Sequence, residues 1–429
     1  MSRVWIAWVV LSVAATVPVA RAQDRESAAA PALTIAEAID EALAHNLSLF
    51  AERSGLVIAD AAAITARLRP NPVVSLSADH LDLLGTGFDR SNNGGPSELA
   101  WRLDVPFERG GKREARMEVA SIVRSVADAQ FAESVRALRL DVTLACIDVI
   151  AAKATRALVA DNLRTLEELA RVNRTRVAAG SIAPFESIRS QVAMLQFRTT
   201  VVRADLDLAA ATARLRVLLG RSPASPIDVV DDLRSAASSA LPDAARVEQL
   251  ALERRPDLRG LQLAQARSTA DLRLQEALGK IDYTVGAEYR RQQGLAARSN
   301  SLGFFVSAPL PLSNRNQGEI ARAGAEREQA ARQIAARSAQ VISDVRTAFH
   351  EYVATQGLLV SMERDLLKPV ASAREIASYT YRSGGSTLLE LLDAQRAFND
   401  TMQSYLDAQA GLRRAASRLN AAVGTEVVP

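Results

Sequence analysis

Residues 281–312 read IDYTVGAEYRRQQGLAARSNSLGFFVSAPLPL, and this stretch decides the fold that we expect for the chain. Apolar and polar side chains alternate from Ile281 to Arg291 and again from Ser301 to Leu312, with a turn between the two arms. A period of two residues is typical of a β-strand, whereas the apolar face of a helix repeats every 3.6 residues. The stretch therefore predicts a β-hairpin with one apolar face.

Each arm of this hairpin has about ten residues, the length that a tilted β-strand needs to cross the hydrocarbon core of a membrane. Pro309 and Pro311 cannot donate hydrogen bonds to a neighbouring strand, so we expect the second strand to end there. The chain then runs through Gly318 into a long helical pattern. These three residues should form the junction between strand and helix.

An earlier stretch, at about residues 71–107, repeats this plan. Its second arm should end at Pro106, and the pair Gly110 and Gly111 should complete the first strand-to-helix junction. Residues 112–179 contain neither proline nor glycine, so they should form one helix of about 68 residues, about 100 Å long.

The whole chain reads as a tandem duplication of helices, hairpin, long helix, turn and returning helix. The turn at Gly180 is answered at Gly384, and Glu186 in the first copy corresponds to Glu390 in the second. The first repeat is predicted over 23–219, with its hairpin at about 71–107, its long helix at about 112–179 and its tip turn at 180–184. A linker follows over 220–242. The second repeat is predicted over 243–429, with its hairpin at about 281–312, its long helix at about 315–382 and its tip turn at 383–387.

Apolar residues recur at alternating intervals of four and three along both long helices, which is the seam pattern of a coiled coil. One seam runs from Phe131 to Ala152 and the other from Val341 to Leu366, and Pro369 interrupts the second helix. The returning helix of the first repeat carries the same pattern at Val192, Leu195, Thr199, Val202, Leu206 and Ala209. We expect this stripe to pack antiparallel against the first long helix.

The composition and the N-terminus narrow the class of protein. The chain has 52 basic and 49 acidic residues in 429, so no strong attraction for nucleic acid is expected. Residues 1–22 combine a basic residue, an apolar run and an Ala-Arg-Ala site, as a cleaved secretory signal does, and an N-terminal membrane anchor is the alternative. Beyond them no apolar run is long enough for a spanning helix, so a membrane crossing would have to use strands.

The sequence contains no recognisable catalytic, cofactor-binding or metal-binding motif. His45, His80 and His350 are scattered, without a second ligand at helical spacing. The only cysteine, Cys146, lies in a helical pattern, where we expect a small core residue. Directly after the expected cleavage site stands Gln23 and not a cysteine that could carry a lipid. We therefore expect neither an enzyme nor a lipidated protein.

The number of strands has a consequence for assembly. Four strands per chain cannot close a barrel, and open sheet edges are not tolerated in lipid. Two copies would pool eight strands, whose interior fills with side chains, whereas three would pool twelve and leave a lumen. The helices, which have no globular core to cover, should then wall a tube. The sequence thus predicts a mixed fold of α-helices and membrane β-strands built from several copies.

Three phrases carry a resemblance to a known family. They are residues 105–112 (VPFERGGK), 309–320 (PLPLSNRNQGEI) and 381–395 (YRSGGSTLLELLDAQ). Together with the duplicated plan, they resemble the TolC family of outer-membrane efflux proteins over essentially all of the mature chain. The phrase at 314–318 most resembles the branch that serves cobalt-zinc-cadmium and copper efflux.

This resemblance implies a homotrimer with a twelve-stranded β-barrel in the Gram-negative outer membrane, continued by a long α-helical coiled-coil tunnel through the periplasm. It implies passive export, with heavy-metal cations as the expected cargo. Its implied partners are a periplasmic membrane fusion protein, or adaptor, an inner-membrane pump of the resistance-nodulation-division type and outer-membrane lipid. It implies no cofactor and no nucleic acid.

The resemblance also places an aperture and an adaptor-docking surface at the two tip turns. Better-known relatives close this aperture partly with an arginine that faces an acid, and here those positions hold Ser386 and Glu186. The tyrosine one turn earlier is kept as Tyr381, which we expect to help narrow the aperture. Glu186 and Glu390 could cap their helices alone or also form rings of charge that favour cations. The tip residues implied are Gly180, Ser181, Glu186, Tyr381, Arg382, Gly384, Ser386, Glu390 and Asp393.

Two alternatives remain open at this point. The same body could serve as a duct for organic toxicants or for type I protein secretion. A protein of another class, a periplasmic coiled-coil scaffold, would never enter the membrane, and its strands would form a soluble sandwich core instead.

Overall fold

The computed structural model describes residues 32–81, 83–85, 97–233, 242–293 and 297–429. The predicted signal peptide and part of the predicted linker lie outside these ranges. The helices are α1 (Ile35–His45), α2 (Leu47–Arg67), α3 (Lys112–Ala178), α4 (Pro184–Leu218), α5 (Ala244–Arg254), α6 (Pro256–Leu278), α7 (Gln317–Asp365), α8 (Leu367–Arg382) and α9 (Leu388–Val423). The strands are β1 (Ala32–Leu33), β2 (Val73–Asp79), β3 (Glu98–Phe107), β4 (Asp228–Val229), β5 (Tyr283–Gln293) and β6 (Arg298–Ser307).

The two hairpins form one antiparallel sheet of four strands, in the order β2-β3-β5-β6. The hairpins join through β3 and β5, where Leu103 lies opposite Ala287, and Ala287 lies opposite Phe304 of β6. The prediction that β6 ends before Pro309 is confirmed. Strand β3 was expected to end at Pro106. This residue still pairs with Thr284, and the strand ends one residue later, at Phe107.

The two faces of the sheet differ in chemistry. The apolar face consists of Val74, Leu76, Leu99, Trp101, Leu103, Val105, Phe107, Tyr283, Val285, Ala287, Tyr289, Leu302, Phe304 and Val306. It is widely exposed, since Phe304 is 77% and Val74 69% exposed. On the opposite face, the Arg290 guanidinium donates to Glu98 and Glu288, at 2.6 and 2.8 Å. The Arg102 side chain on that face lies over the Phe305 ring, with 4.4 Å between the guanidinium carbon and the ring centroid.

Left-handed backbone conformations mark both junctions between the sheet and the long helices. Gly110 and Gly111 have φ angles of +77° and +75°, which favour glycine. At the second junction the left-handed residue is Asn316, at φ +63°, and Gly318 lies in the first turn of α7. Asparagine tolerates this conformation, and the Asn316 amide also donates to the Gln275 carbonyl at 2.8 Å. Pro309 and Pro311 lie between β6 and α7.

The two long helices differ in continuity. Helix α3 is unbroken over 67 residues, and its bounds agree with the predicted span of 112–179 to within a residue. The second long helix is interrupted at Leu366, where φ is −115° and α7 gives way to α8. Pro369 explains this break, since proline has no N–H for the carbonyl four residues earlier and its ring clashes with that turn.

The predicted seams of α3 and α7 are buried or half-buried as far as Met362, but Leu366 and the stripe on α4 are exposed. Leu138 and Val142 of α3 pack with Leu215 of α4, and Val345 of α7 packs with Leu412 of α9. In contrast, the α4 stripe of Val192, Leu195, Val202 and Leu206 is between 46% and 65% exposed, so the prediction that it packs against α3 is wrong. Helix α4 turns another face to α3, one that includes Ser187, Ser190, Ala204 and Ala211.

A buried ion-pair network ties α6 to α7 near the start of the second repeat. The Arg255 guanidinium donates to Asp257 at 2.7 Å and to Asp344 at 3.3 Å. Asp257 also accepts from Arg337. Burial alone would raise the pKa of Asp257, but the hydrogen bonds from the two arginines outweigh burial and hold that pKa well below its usual value.

Candidate functional site

The turn between α3 and α4 and the turn between α8 and α9 lie side by side, at the end of the molecule opposite the sheet. Helices α3 and α8 both end there, and the Arg176 guanidinium of α3 donates to the main-chain carbonyl of Arg382, the last residue of α8, at 3.2 Å. The structure therefore brings the predicted tip residues of both repeats into one place. We call this region the tip, residues 173–193 and 376–396.

The first turn of the tip reverses the chain between α3 and α4. Gly180 adopts φ +69°, and the Ser181 N–H donates to the Arg176 carbonyl at 2.8 Å, which satisfies a carbonyl at the end of α3. Pro184 opens α4, where a proline needs no hydrogen-bond partner for its nitrogen. Glu186 lies in the first turn of α4, half-buried, at the positive end of the helix dipole.

The second turn is built in a similar way but carries a stronger cap. Gly384 adopts φ +81° after the end of α8. Thr387 and Glu390 form a capping box at the start of α9, in which the Glu390 carboxylate accepts the Thr387 N–H at 2.8 Å. The Ser386 hydroxyl accepts a hydrogen bond from Thr380 at 3.0 Å. Asp393 lies further out, 3.7 Å from the Arg396 guanidinium.

Tyr381 is buried within one chain. Its ring is only 6% exposed and packs with Leu166 of α3 and with Leu388 and Leu392 of α9. The Tyr381 hydroxyl donates to the Asn173 side-chain oxygen at 2.8 Å. Burial raises the pKa of Tyr381, against the opposing effect of this hydrogen bond. Within one chain the ring therefore joins α8 to α3 and α9, and the role of Tyr381 in helping to narrow an aperture stays a prediction.

Sequence reasoning missed Asn173 and Arg176, which contact Tyr381 and Arg382. They lie three residues apart on α3, and the Arg176 guanidinium carbon is 5.6 Å from the centre of the Tyr381 ring. A polar Asn173 in the middle of an otherwise apolar face was the available signal, but its partner is 208 positions away in the sequence.

Metal-ligating side chains do not cluster anywhere in the described ranges. Within them, no three His, Cys, Asp or Glu side chains are arranged so that they could hold a metal ion. Nor does any helix in those ranges combine the length and apolar character that a membrane span requires. Cys146 is fully buried, as predicted, and burial raises its pKa to about 12, so the thiol is an unreactive core group.

Comparisons with known proteins identify relatives of this chain. The cobalt-zinc-cadmium resistance protein CzcC of Cupriavidus metallidurans is 24% identical over 396 residues, which make up 92% of this chain and 91% of that protein. The nickel-cobalt-cadmium resistance protein NccC of Alcaligenes xylosoxydans xylosoxydans is 26% identical over 299 residues, or 66% of this chain and 62% of that protein. Both relatives are named for resistance to divalent metals.

Solved structures show the same architecture. The crystal structure of CusC, described in connection with transmembrane channel formation, is 17% identical and matches with a TM-score of 0.74 over 91% of this chain and 92% of that one. At this identity the likeness concerns the fold alone. The family model described as outer membrane efflux protein matches residues 38–221 and 247–425, which is most of the chain. The chain belongs to this family of outer membrane efflux proteins, which are channels and not an enzyme family.

Proposed function

We propose that three copies of this chain form an outer-membrane channel that passively conducts heavy-metal cations out of the cell. In this proposal the copies pool their sheets into a twelve-stranded barrel and their helices into a periplasmic tunnel. An adaptor protein and an inner-membrane pump of the resistance-nodulation-division type deliver the cargo to the tip. Residues 1–22 direct the chain to the envelope and are then removed.

The observation that carries this proposal is the two-faced open sheet. Its apolar face is exposed over all four strands, whereas its other face holds ion pairs such as those between Arg290 and Glu98. Strands β2 and β6 are edges with free hydrogen-bonding groups in a single chain. The exposed apolar face is unfavourable in water, and open strand edges are unfavourable in lipid. Closure with further copies removes the edges. Ion-paired residues would then line the lumen, as in membrane barrels.

The exposed stripe on α4 supports the same assembly. Val192, Leu195, Val202 and Leu206 follow coiled-coil spacing but contact no helix of their own chain closely enough to be buried. Helix α2 likewise exposes Val57, Ile58 and Ile64. Large apolar stripes of this kind mark protein interfaces. Neighbouring copies around a tunnel would cover both stripes.

The aromatic residues of the apolar face support its position in a membrane. Trp101 lies opposite Tyr289, and Phe107 lies opposite Tyr283 three same-face rows further along the sheet. Aromatic girdles of this kind flank the apolar band of membrane barrels at both interfaces. Phe304 lies between these two rows, in the middle of the apolar band.

The names of the relatives support metal cations as the cargo. CzcC and NccC are resistance proteins for cobalt, zinc, nickel and cadmium, and CzcC matches this chain along nearly its full length. In a trimer, Glu186 and Glu390 would each be present three times around the tip. Rings of carboxylates favour cations in a pore, so these residues would suit such a cargo, while Glu390 also caps α9 and Glu186 lies in the first turn of α4.

A sensitivity panel of a deletion strain tests the cargo. We expect loss of the gene to lower the tolerated concentration of zinc, cobalt and cadmium, and plasmid-borne expression to restore it, while tolerance of dyes and detergents stays unchanged. Sensitivity to organic toxicants alone would favour the duct for such compounds. Carbonate extraction of envelopes tests the location, since a barrel stays in the membrane and a periplasmic scaffold is washed off.

A further inference from the structure

The four connections between the sheet and the helices all carry positive charge. These connections are residues 67–72, 108–112, 278–282 and 308–317. They contain six arginine or lysine residues and two acidic residues, an excess of four positive charges. The whole chain has an excess of only three. Positive charge is therefore concentrated at this one level of the molecule.

Both acidic residues of these connections are already paired within the chain. The Glu108 carboxylate accepts from Arg116 of α3 at 2.9 Å, and the Asp282 carboxylate accepts from the buried Lys112 ammonium at 2.6 Å. The other five basic side chains are exposed, and none of them forms an ion pair with a described residue. We call these five the basic belt: Arg67, Arg69, Arg109, Lys280 and Arg315.

Arg109 lies at the rim of the apolar face of the sheet. Its guanidinium donates to the Tyr283 hydroxyl at 2.9 Å, and the guanidinium carbon is 5.0 Å from the centroid of the Tyr283 ring. Tyr283 and Phe107 form the last row of the apolar face. Arg109 follows Phe107 by two residues, which span at most about 7 Å, and the headgroup layer of a membrane is about 5–8 Å deep. Arg109 therefore lies at headgroup depth when the apolar face is in a membrane.

Lys280 is held beside Arg109 by contacts between the two hairpins. Gly110 adopts φ +77°, and a side chain at this position would collide with the methylene groups of Lys280. The Asp282 carboxylate accepts the main-chain N–H of Arg109 at 2.9 Å, and the Lys112 ammonium donates to the Lys280 carbonyl at 2.8 Å. Both cations are thus positioned before a ligand arrives, which lowers the entropic cost of binding one.

Two further members of the basic belt are tied to the same level. The Arg113 guanidinium, in the first turn of α3, donates to the main-chain carbonyl of Arg67 at 2.7 Å. The main-chain carbonyl of Arg315 lies so close to Gly279 that a side chain at Gly279 would collide with it. Arg315 therefore follows next to Lys280 in space, although the two residues come from opposite ends of the second hairpin.

We propose that the basic belt binds the headgroup phosphates of anionic phospholipids in the periplasmic leaflet of the outer membrane. This inference rests on the proposed function, because it requires the apolar face to lie in that membrane and the helices to extend into the periplasm. Arginine and lysine beside a membrane surface favour anionic lipids, and arginine forms paired hydrogen bonds with phosphate. Cations around the lumen would oppose the passage of metal ions, so the basic belt is expected on the outer surface.

Native mass spectrometry of the purified full-length protein tests the proposal. The protein is titrated with phosphatidylglycerol, with cardiolipin and, as the zwitterionic control, with phosphatidylethanolamine. We expect the two anionic lipids to bind more tightly than the control. We also expect this preference to fall at least about fivefold when ammonium acetate rises from about 20 to about 500 mM, because salt screens exposed charges. Equal binding of all three lipids, or a preference that salt does not change, would refute the proposal.

A triple variant, Arg69→Gln with Lys280→Gln and Arg315→Gln, removes one cation from each of three connections. A basic residue beside an anionic surface contributes about fivefold in affinity. We therefore expect at least about fivefold weaker binding of phosphatidylglycerol and unchanged binding of phosphatidylethanolamine. A variant that keeps the charges, Arg69→Lys with Lys280→Arg and Arg315→Lys, should bind as the parent does. Weak binding by this second variant would mean that charge is not the cause.

The matched control removes the same number of cations from the adjoining helices. It combines Arg53→Gln of α2, Arg267→Gln of α6 and Arg327→Gln of α7, which are all exposed and form no ion pair with a described residue. These positions lie about 15–21 Å along their helices from the connections, beyond the headgroup layer. The control should bind every lipid as the parent does. Equal losses in control and triple variant would show an effect of net charge alone and refute the basic belt.

The outcomes distinguish a lipid site from a free-anion site and from failure of the proposed function. Displacement of phosphatidylglycerol by inorganic phosphate at low millimolar concentration would overturn the lipid assignment in favour of a free anion. A chain that carbonate washes from envelopes overturns the proposed function and the basic belt with it. A chain that stays in the membrane without a preference for anionic lipid refutes the basic belt alone. The salt series uses the parent protein, so it decides the question even where the triple variant does not assemble.

Discussion

A single arginine on the apolar face of the sheet should prevent assembly, whereas the same arginine on the other face should not. Val74→Arg and Ser77→Arg form a matched pair for this comparison, because both lie on the edge strand β2 and both side chains are exposed in one chain. Val74 lies opposite Leu103 on the apolar face, and Ser77 lies opposite Ala100 on the polar face.

The magnitude follows from the position of Val74 in the apolar band. Its row across the sheet is Val74, Leu103, Ala287 and Phe304, and this row lies between the aromatic rows of Trp101 and Phe107. An arginine at the midplane of a membrane barrel costs about 2–4 kcal/mol, so three copies would cost about 6–12 kcal/mol per trimer. At Ser77 the arginine would face a lumen that already holds arginine side chains such as Arg290.

Semi-native electrophoresis of outer-membrane fractions measures the outcome as the share of protein in the trimer band. We expect little trimer for Val74→Arg and nearly the parent amount for Ser77→Arg. Equal effects of the two changes would mean that the faces are assigned wrongly, and a loss confined to Ser77→Arg would reverse the assignment.

Three further predictions concern charge and helix continuity. Glu186→Gln combined with Glu390→Gln should reduce the cation preference that a planar bilayer shows as a reversal potential under a salt gradient, since glutamine keeps the capping box of Glu390 and removes both charges; an unchanged potential would mean that neither carboxylate favours cations. Pro369→Ala should restore a helical hydrogen bond between α7 and α8 and raise the Tm in a thermal melt, because proline inside a helix costs up to about 3 kcal/mol. An unchanged Tm would mean that the break at Leu366 has another cause. Asp257→Asn should destabilise the chain by about 3–5 kcal/mol in denaturant unfolding, because it leaves the buried Arg255 without its main partner. Since the pKa of Asp257 is lowered in the folded state, its contribution to the free energy of unfolding is present at neutral pH and is lost as the pH falls below the usual carboxylate range. The variant should lack this acid sensitivity, and equal pH profiles of stability for parent and variant would refute the assignment.

The local patterns were sufficient to predict the elements. Alternation along residues 281–312 predicted β5 and β6, because strand faces are set by a period of two that is written in the sequence itself. The absence of proline and glycine from 112 to 179 predicted α3, and Pro369 predicted an interruption of the second long helix. Each of these inferences needed only neighbouring residues.

Which faces meet could not be predicted in the same way. Helix α4 carries a regular apolar stripe from Val192 to Leu206, yet its neighbour α3 takes the face with Ser187 and Ala204 instead. Spacing identifies a stripe but does not say whether its partner lies in the same chain or in another copy. Small residues allow close approach of helix backbones, which a count of apolar positions does not register.

The contacts of the tip were beyond sequence reasoning for a related reason. Tyr381 was recognised from its place in a motif, but its burial against Asn173 depends on how α3 and α8 end side by side. Better-known relatives have an arginine at the position of Ser386, whereas here the Arg176 guanidinium of another helix donates to the Arg382 carbonyl of the tip. Side chains from different helices can place a positive charge at the same position in space, and a motif in the sequence does not show this.

The claim on which this account depends is that the sheet of one chain is completed by two further copies. Native mass spectrometry of the full-length protein, extracted from outer membranes in a mild detergent, tests it most directly. The account predicts one dominant species at three times the mass of the processed chain. A monomer as the dominant species, under conditions that keep other outer-membrane trimers intact, would contradict it.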